Sequence, residues 1–105
     1  MKEEFKELKV IKNEDANRFE LEVNGHIAFI DYKQKDNDIY LIHTESPKEL
    51  AGTGAAAALV EKTLIYLEEN NHPLVPLCPY VAAFIKKNRD WVRVVREDFK
   101  DKFKE

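Results

Sequence analysis

The sequence predicts a mixed α/β (α+β) domain: an antiparallel four-stranded meander, a long helix, a short fifth strand and a second, shorter helix. Three observations predict it. Apolar side chains alternate with period two through the first half, on either side of Asn24-Gly25; the period becomes that of a helix from Gly54; and an apolar run with a proline inside it, Leu74-Val75-Pro76-Leu77, follows that helix.

Leu8, Val10 and Lys12 alternate with Lys9 and Ile11, which fits a first strand over 8–12, and Asn13-Glu14-Asp15-Ala16-Asn17 is turn chemistry. Arg18 to Val23 alternates strictly, with Phe19, Leu21 and Val23 on one face. Asn24-Gly25 closes a hairpin, because both central residues of a type I′ turn need positive φ. His26 to Lys33 is the returning strand, in which Ile27, Phe29 and Asp31 alternate against Ala28, Ile30 and Tyr32. A turn over 34–38 leads to a fourth strand, Ile39 to Thr44, and turns this short make the meander antiparallel.

Ala56, Leu59, Val60, Thr63, Leu64 and Leu67 then recur at helical spacing, with Glu61, Lys62, Glu68 and Glu69 on the other side. Asn70-Asn71 tolerates the left-handed cap conformation, and His72-Pro73 prevents continuation. Within 74–77, Pro76 cannot donate to a ladder, so the fifth strand is there at an edge or parted from its neighbour, and parted strands leave a cleft. Pro79 suits the first position of the second helix, Tyr80 to Lys87, with Val81, Phe84 and Ile85 on one face. Trp91 to Val95 covers the core as strand or helix, and Val95, Phe99 and Phe103 give the charged tail from Arg96 the spacing of an amphipathic helix.

The chain of 105 residues, 44% apolar and 35% charged, is the size of one core and is read as a single domain over 1–105. No apolar run reaches bilayer length, and Met1-Lys2-Glu3-Glu4-Phe5-Lys6-Glu7 has no signal-peptide core, so a cytoplasmic location without a membrane partner is expected. The single cysteine, Cys78, allows no internal disulfide and agrees with a reducing compartment. A net charge of -3 argues against a nucleic-acid partner.

The chemistry concentrates between the fourth strand and the long helix. There the backbone can approach a ligand closely at Gly52 and Gly54, and the N–H groups of the helix's first turn point at whatever sits there. The helix dipole adds positive charge, so a phosphate or diphosphate is the natural occupant. A tight turn with no ligand uses the same glycines.

An antiparallel meander, a strand ending His43-Thr44, a Gly-x-Gly turn opening a long helix, and then Leu77-Cys78-Pro79-Tyr80 resembles the GNAT superfamily of acyl-CoA-dependent N-acetyltransferases. More narrowly, it is similar to that superfamily's small single-domain subgroup, over residues 8 to 95, with 96–105 a charged tail beyond it. The superfamily's pyrophosphate loop, Gln/Arg-x-x-Gly-x-Gly/Ala, falls on Ala51-Gly52-Thr53-Gly54-Ala55-Ala56. The subgroup's cysteine followed by Pro or Ser and an aromatic residue falls on Cys78-Pro79-Tyr80. Ala51 departs from the usual Gln or Arg, which bears on a side-chain contact to the cofactor and not on the amide cradle.

The resemblance implies a parallel, splayed fifth strand and acetyl-CoA (coenzyme A) as cosubstrate, without a metal. It implies that amides of Gly52, Thr53, Gly54, Ala55 and Ala56 hold the pyrophosphate. The strand end His43-Thr44-Glu45 then binds the pantetheine arm as an added strand, in the split between 39–45 and 74–77. Lys87 and Asn88, with Lys86 and Arg89 beside them, would reach the adenosine phosphates. A neutral amine attacks the thioester carbonyl, a backbone amide steadies the oxyanion and an acid protonates the departing thiolate. Only Asn13 to Asn17 stands where common members carry two helices over the acceptor site. That favours an exposed amine on a peptide, protein or polyamine.

Each candidate also has a plainer reading. Cys78 precedes a helix N-terminus, a place that favours thiolates, and would carry the acetyl group or sit beside the cofactor sulfur; the alternative is a core cysteine. Tyr80 is the acid for the leaving thiolate or an aromatic packed over the cleft. His43 is a general base or a structural hydrogen bonder. Basic residues at a helix end need no ligand.

Gly52-Thr53-Gly54-Ala55-Ala56-Ala57 also satisfies a dinucleotide pattern, but the next strand ends in Cys78 and not in an acid for the ribose. No Gly-x-x-x-x-Gly-Lys-Ser/Thr occurs, His26, His43, His72 and Cys78 lack metal-ligand spacing, and Ser46 has no nucleophile elbow. The reading is therefore an acetyl-CoA-dependent N-acetyltransferase. The alternative is a non-catalytic acyl-CoA-binding or protein-interaction module on the same fold.

Overall fold

The alternating first half folds into a ribbon because each turn carries the residues its geometry demands. In the computed structural model, which describes residues 1–104, Asn24 and Gly25 take φ of 51° and 81°. This type I′ pair joins β2 (Arg18–Val23) to β3 (His26–Lys35) with Val23 opposite His26. Asp36, at φ 55°, turns the chain into β4 (Asp38–Glu45), so the third strand runs two residues beyond its expected end at Lys33. With β1 (Ile11–Asn13) on the outer edge and β5 (Leu74–Pro76) beyond β4, the described residues form a five-stranded sheet in sequence order. The first four strands are antiparallel, and β5 joins β4 in parallel.

The helix after the loop, α2 (Ala55–Glu69), lays Ala55, Ala58, Leu59, Leu64 and Leu67 on the sheet face that carries Phe19, Leu21, Ile30 and Leu41. Thr63 is buried with them and donates its hydroxyl to the Leu59 carbonyl at 2.8 Å, which leaves no orphan donor inside. Ala56, expected on the packed face, is only half-buried. The helix stops at Asn71, whose φ is 57°; His72 N–H reaches the Leu67 carbonyl at 2.9 Å and Asn71 N–H reaches that of Glu68 at 3.2 Å. This pair of bonds is the Schellman arrangement. The second helix of the sequence reading is α3 (Pro79–Lys87), which adds Val81 and Ile85 to the same core.

Two irregularities coincide at Leu41. Ile39, Tyr40 and Leu41 pair with Leu74, Val75 and Pro76, and the Leu41 carbonyl then accepts both Leu77 N–H, at 3.0 Å, and Cys78 N–H, at 2.9 Å. At the same place the pairing of β4 with β3 slips, from Tyr32 opposite Leu41 to Asp31 opposite His43, so Ile42 is an extra residue that bends the strand. Beyond it, residues 43–45 pair with β3 alone among the described residues. The sheet splits there, as the proline in the fifth strand suggests.

Two expectations are corrected, and one element is added. The first strand covers Ile11–Asn13 and not 8–12; Leu8 and Val10 pack against the core without ladder partners. Before it, α1 (Glu3–Lys6) is a single helical turn that the charged sequence hides, and it drives Phe5 into the core at 1% exposure. Residues 89–94 and 97–103 form 3-10 helix, with Val95 between them bridging to Leu74 in parallel; the tail is therefore not the amphipathic α-helix its spacing suggests. Tertiary bonds override weak propensity here: the Arg96 guanidinium holds Asp38, Tyr40 and Asp98, and that of Arg89 reaches the Phe103 carbonyl. Residue 105 of the tail lies outside the described residues.

Candidate active site

The loop into α2 is shaped by its own backbone bonds. After Ser46-Pro47, the 3-10 turn Lys48–Leu50 buries Leu50 as an anchor. Ala51 N–H donates to the Lys48 carbonyl at 3.0 Å and Thr53 N–H to the Leu50 carbonyl at 3.2 Å. The Thr53 hydroxyl donates to the same Leu50 carbonyl at 2.6 Å and accepts Ala55 N–H at 3.2 Å. Gly54, with φ 88°, is the N-cap and supplies no side-chain cap.

The N–H groups of Gly52, Gly54, Ala56 and Ala57 consequently have no partner among the described residues. They lie at the positive end of a 15-residue helix. Of the five amides assigned from the sequence, those of Thr53 and Ala55 already have partners, because they hold the loop in shape. Ala57, which the sequence reading did not assign, joins the free set.

A concavity of about 260 Å3 opens between this loop and α3, lined by Ser46, Pro47, Gly52, Gly54, Ala56 and Tyr80 among others. Tyr80 comes from the first turn of α3 and is 44% exposed. Partial burial raises its hydroxyl pKa above the ordinary 10.0, so the group stays protonated through neutral pH. At Gly54 and Ala57 the concavity meets a second one of about 400 Å3, whose walls include Met1, Lys2, Glu61, Phe84 and Asn88. Asn88 is brought into this furrow while its side-chain amide caps α3 on the Phe84 carbonyl at 2.9 Å. Lys87 is exposed and lines neither concavity.

The strand end distributes its candidates over two faces. Thr44 pairs with Ile30 and faces the core, where its Oγ1 lies 3.3 Å from Cys78 Sγ, so the two side chains bridge the floor of the split. Cys78 is 2% exposed. His43 and Glu45, opposite Asp31 and Phe29, face the other way; His43 Nε2 lies 3.1 Å from Glu45 Oε1 and both are exposed. On that outer face the Arg18 guanidinium lies over the Phe29 ring at 3.7 Å, and Ile27 is 44% exposed. The turn over 14–17 between β1 and β2 carries no helix to cover it.

A further concavity, of about 460 Å3, lies at the opposite end of α2, near His72, Arg93, Arg96 and Lys100. Its cations are each bonded to carboxylates: Arg93 to Glu68, Arg96 to Asp38 and Asp98, and Lys100 to Glu97. The charge there is already neutralised. Among the described residues no group of three or more His, Cys, Asp and Glu converges to hold a metal ion, and no helix is long and apolar enough to cross a membrane.

The sheet therefore splits beside a helix start whose first amides are free. Residues 18–94 match the model of the GCN5-related N-acetyl-transferase family, and the chain belongs to that family. No curated protein matches it. The matched span contains the loop, the split and Cys78-Pro79-Tyr80, and leaves out α1 and β1. Sequence reasoning missed Lys2, which lines the furrow from that unmatched segment, and Phe5, which is buried beside Gly54; a lone Phe in a charged run was the available signal.

Proposed function

We propose that this protein is an acetyl-coenzyme A-dependent N-acetyltransferase of the cytoplasm that acts on an exposed amine of a peptide, protein or polyamine. The observation that carries the reading is the break at Leu41, where the bulge at Ile42 and the departure of the chain after Pro76 leave one edge of residues 42–45 unpaired. The strand so opened runs straight into the loop whose Gly52, Gly54, Ala56 and Ala57 amides are free. The free amides suit a diphosphate, and the open edge suits an amide-bearing arm added as a strand. Acetyl-coenzyme A, when bound, supplies an acyl group activated as a thioester.

The chain's own residues then divide the work. Tyr80 donates a proton from its hydroxyl to the sulfur that leaves as the carbonyl carbon forms its bond to nitrogen, and recovers one as the amine nitrogen loses its own. Its raised pKa suits a donor that must be protonated at neutral pH. Cys78 and Thr44 hold each other where the strands part, which fixes the floor under the reacting bond. His43 and Glu45 face the uncovered side, from which a bulky acceptor can approach.

Calorimetry with coenzyme A and acetyl-coenzyme A, followed by mass spectrometry of a panel of lysine peptides, free peptide N-termini and polyamines, tests the reading. Binding of both cofactor forms and transfer that falls at least about tenfold in Tyr80→Phe, with binding intact, is the expected result. A protein that binds neither form overturns it. Binding with no acetylation across the panel establishes the alternative, a non-catalytic acyl-coenzyme A module.

A further inference from the structure

The cofactor loop lacks one thing its family pattern supplies: Ala51 stands where Gln or Arg is usual, so the loop offers amides but no polar side chain from that position. A cation reaches the same place from another part of the chain. The turn α1 is fixed by Phe5, sunk into the core at 1% exposure, and by Phe5 N–H donating to the Lys2 carbonyl at 3.0 Å. That anchor lays the Lys2 side chain along the start of α2. A Cβ built on Gly54 would stand 3.6 Å from Lys2 Cε and 3.7 Å from Phe5 Cε2.

The charge on Lys2 is also uncommitted. Lys6, Lys12, Lys100 and Lys104 each lie within ion-pair distance of a carboxylate, at 3.0, 3.7, 2.8 and 3.0 Å. Lys2 has no such partner among the described residues, and it lines a furrow together with Gly54 and Ala57, two of the residues whose backbone N–H groups have none either. Glu61 lines the same furrow from the second turn of α2 and repels an anion there, which leaves the Gly54 end as the place where Lys2 and a phosphate can meet.

We propose that Lys2 is a phosphate-binding residue of the cofactor cleft, delivered by the α1 arm, and that it supplies in space the polar contact that Ala51 does not supply in sequence. The proposal rests on the reading of the cleft as a coenzyme A site. An ammonium on a phosphate is a charge-assisted contact, so its loss weakens binding by about tenfold or more.

Calorimetry on the full chain at low and high salt tests this with wild type, Lys2→Ala, Lys2→Arg, and Lys2→Ala combined with Ala51→Arg. The expected result is about tenfold weaker coenzyme A binding by Lys2→Ala with an unchanged melting temperature, a shallower salt dependence, and affinity kept by Lys2→Arg. The double variant regains affinity, because the guanidinium returns to the position the family uses. Repeating the series with 3′-dephospho-coenzyme A locates the contact: a lysine effect that persists places Lys2 on the diphosphate, and one that vanishes places it on the 3′-phosphate. Wild-type affinity in Lys2→Ala, with the wild type binding normally, overturns the proposal alone, as does a loss that Ala51→Arg leaves unchanged. A wild type that binds no coenzyme A overturns the cleft reading and this proposal together.

Discussion

Replacing Gly54 by alanine separates the shape of the loop from its contents. Gly54 sits at φ 88° and ψ 5°, a left-handed conformation that costs an L-residue about 1–2 kcal/mol. Sterics add nothing, since the nearest atom to the new Cβ would be Lys2 Cε at 3.6 Å, an ordinary contact. At roughly 4–8 °C per kcal/mol for a domain of this size, the melting temperature falls by about 5–15 °C. Gly25→Ala is the matched control: φ is 81°, no atom lies within 4 Å of the new Cβ, and the turn belongs to the β2–β3 hairpin. Both variants therefore lose similar stability in a calorimetric melt. Only Gly54→Ala rotates the peptide planes on either side of the N-cap and re-aims the free Gly54 amide. A lost amide-to-phosphate bond weakens coenzyme A binding by about tenfold or more, read by titration calorimetry well below the melting temperature. Equal affinities in the two variants, whether both lose binding or both keep it, would refute the assignment of the loop amides.

Phe5→Ala removes a fully buried ring from the core and costs about 3–5 kcal/mol in a urea titration; a loss below 1 kcal/mol would mean that the α1 arm is not packed in solution. Acid should destabilise the fold through Glu68 and Asp98, whose carboxyls are held below their ordinary 4.5 and 3.8 by hydrogen bonds from the Arg93 and Arg96 guanidiniums. With native pKa values lowered, the unfolded chain takes up protons first, so this stabilisation is complete above about pH 5 and fades as pH falls through the native values. Arg93→Met removes the Glu68 part, and its melting temperature should fall less steeply with acid than that of wild type; parallel profiles would contradict the sign. The Cys78 thiol, 2% exposed, should react with iodoacetamide at a rate set by opening of the fold and not by the reagent. Prompt alkylation of the native protein would show that the floor of the split is open.

What the sequence makes legible is what is decided locally. Asn24-Gly25 specifies its turn by the φ values both residues tolerate, and α2 announces itself over four turns before stopping at Asn71, an αL cap that asparagine tolerates. Pro76 marks the split because a missing N–H is a property of one residue. The bulge at Ile42 has no such mark, since an extra residue exists only relative to the register of β3. The burial of Phe5 is likewise decided by α2 and the loop, far along the chain. In the tail, the spacing of Val95, Phe99 and Phe103 correctly names residues that meet the core but not the helix type, because Arg96 is tied to Asp38 and Tyr40 across the sheet. Among the loop amides, the committed ones are legible only once the Thr53 hydroxyl is seen between Leu50 and Ala55.

The economy of the site follows from placing every feature at a single break. A proline in β5 alone would end pairing but leave β4 straight, and a bulge in β4 alone would bend it with its neighbour still attached; together, at Leu41, they let the strands diverge. The Leu41 carbonyl accepts two successive N–H groups of the departing chain, so the turn into α3 comes at once, with Cys78 at the floor of the opening and Tyr80 on one wall. The other wall is the bent end of β4, which needs only the turn Lys48–Leu50 to reach the helix start. Residues that are 34 apart in sequence, Thr44 and Cys78, thereby meet at the floor. No additional layer of structure is required to build this cleft, which is why β1 and β2 can be joined by so short a turn. The consequence is an outer face that carries His43 and Glu45 into solvent; on the proposed function, acceptor choice would come from contacts on that face and not from an enclosing pocket.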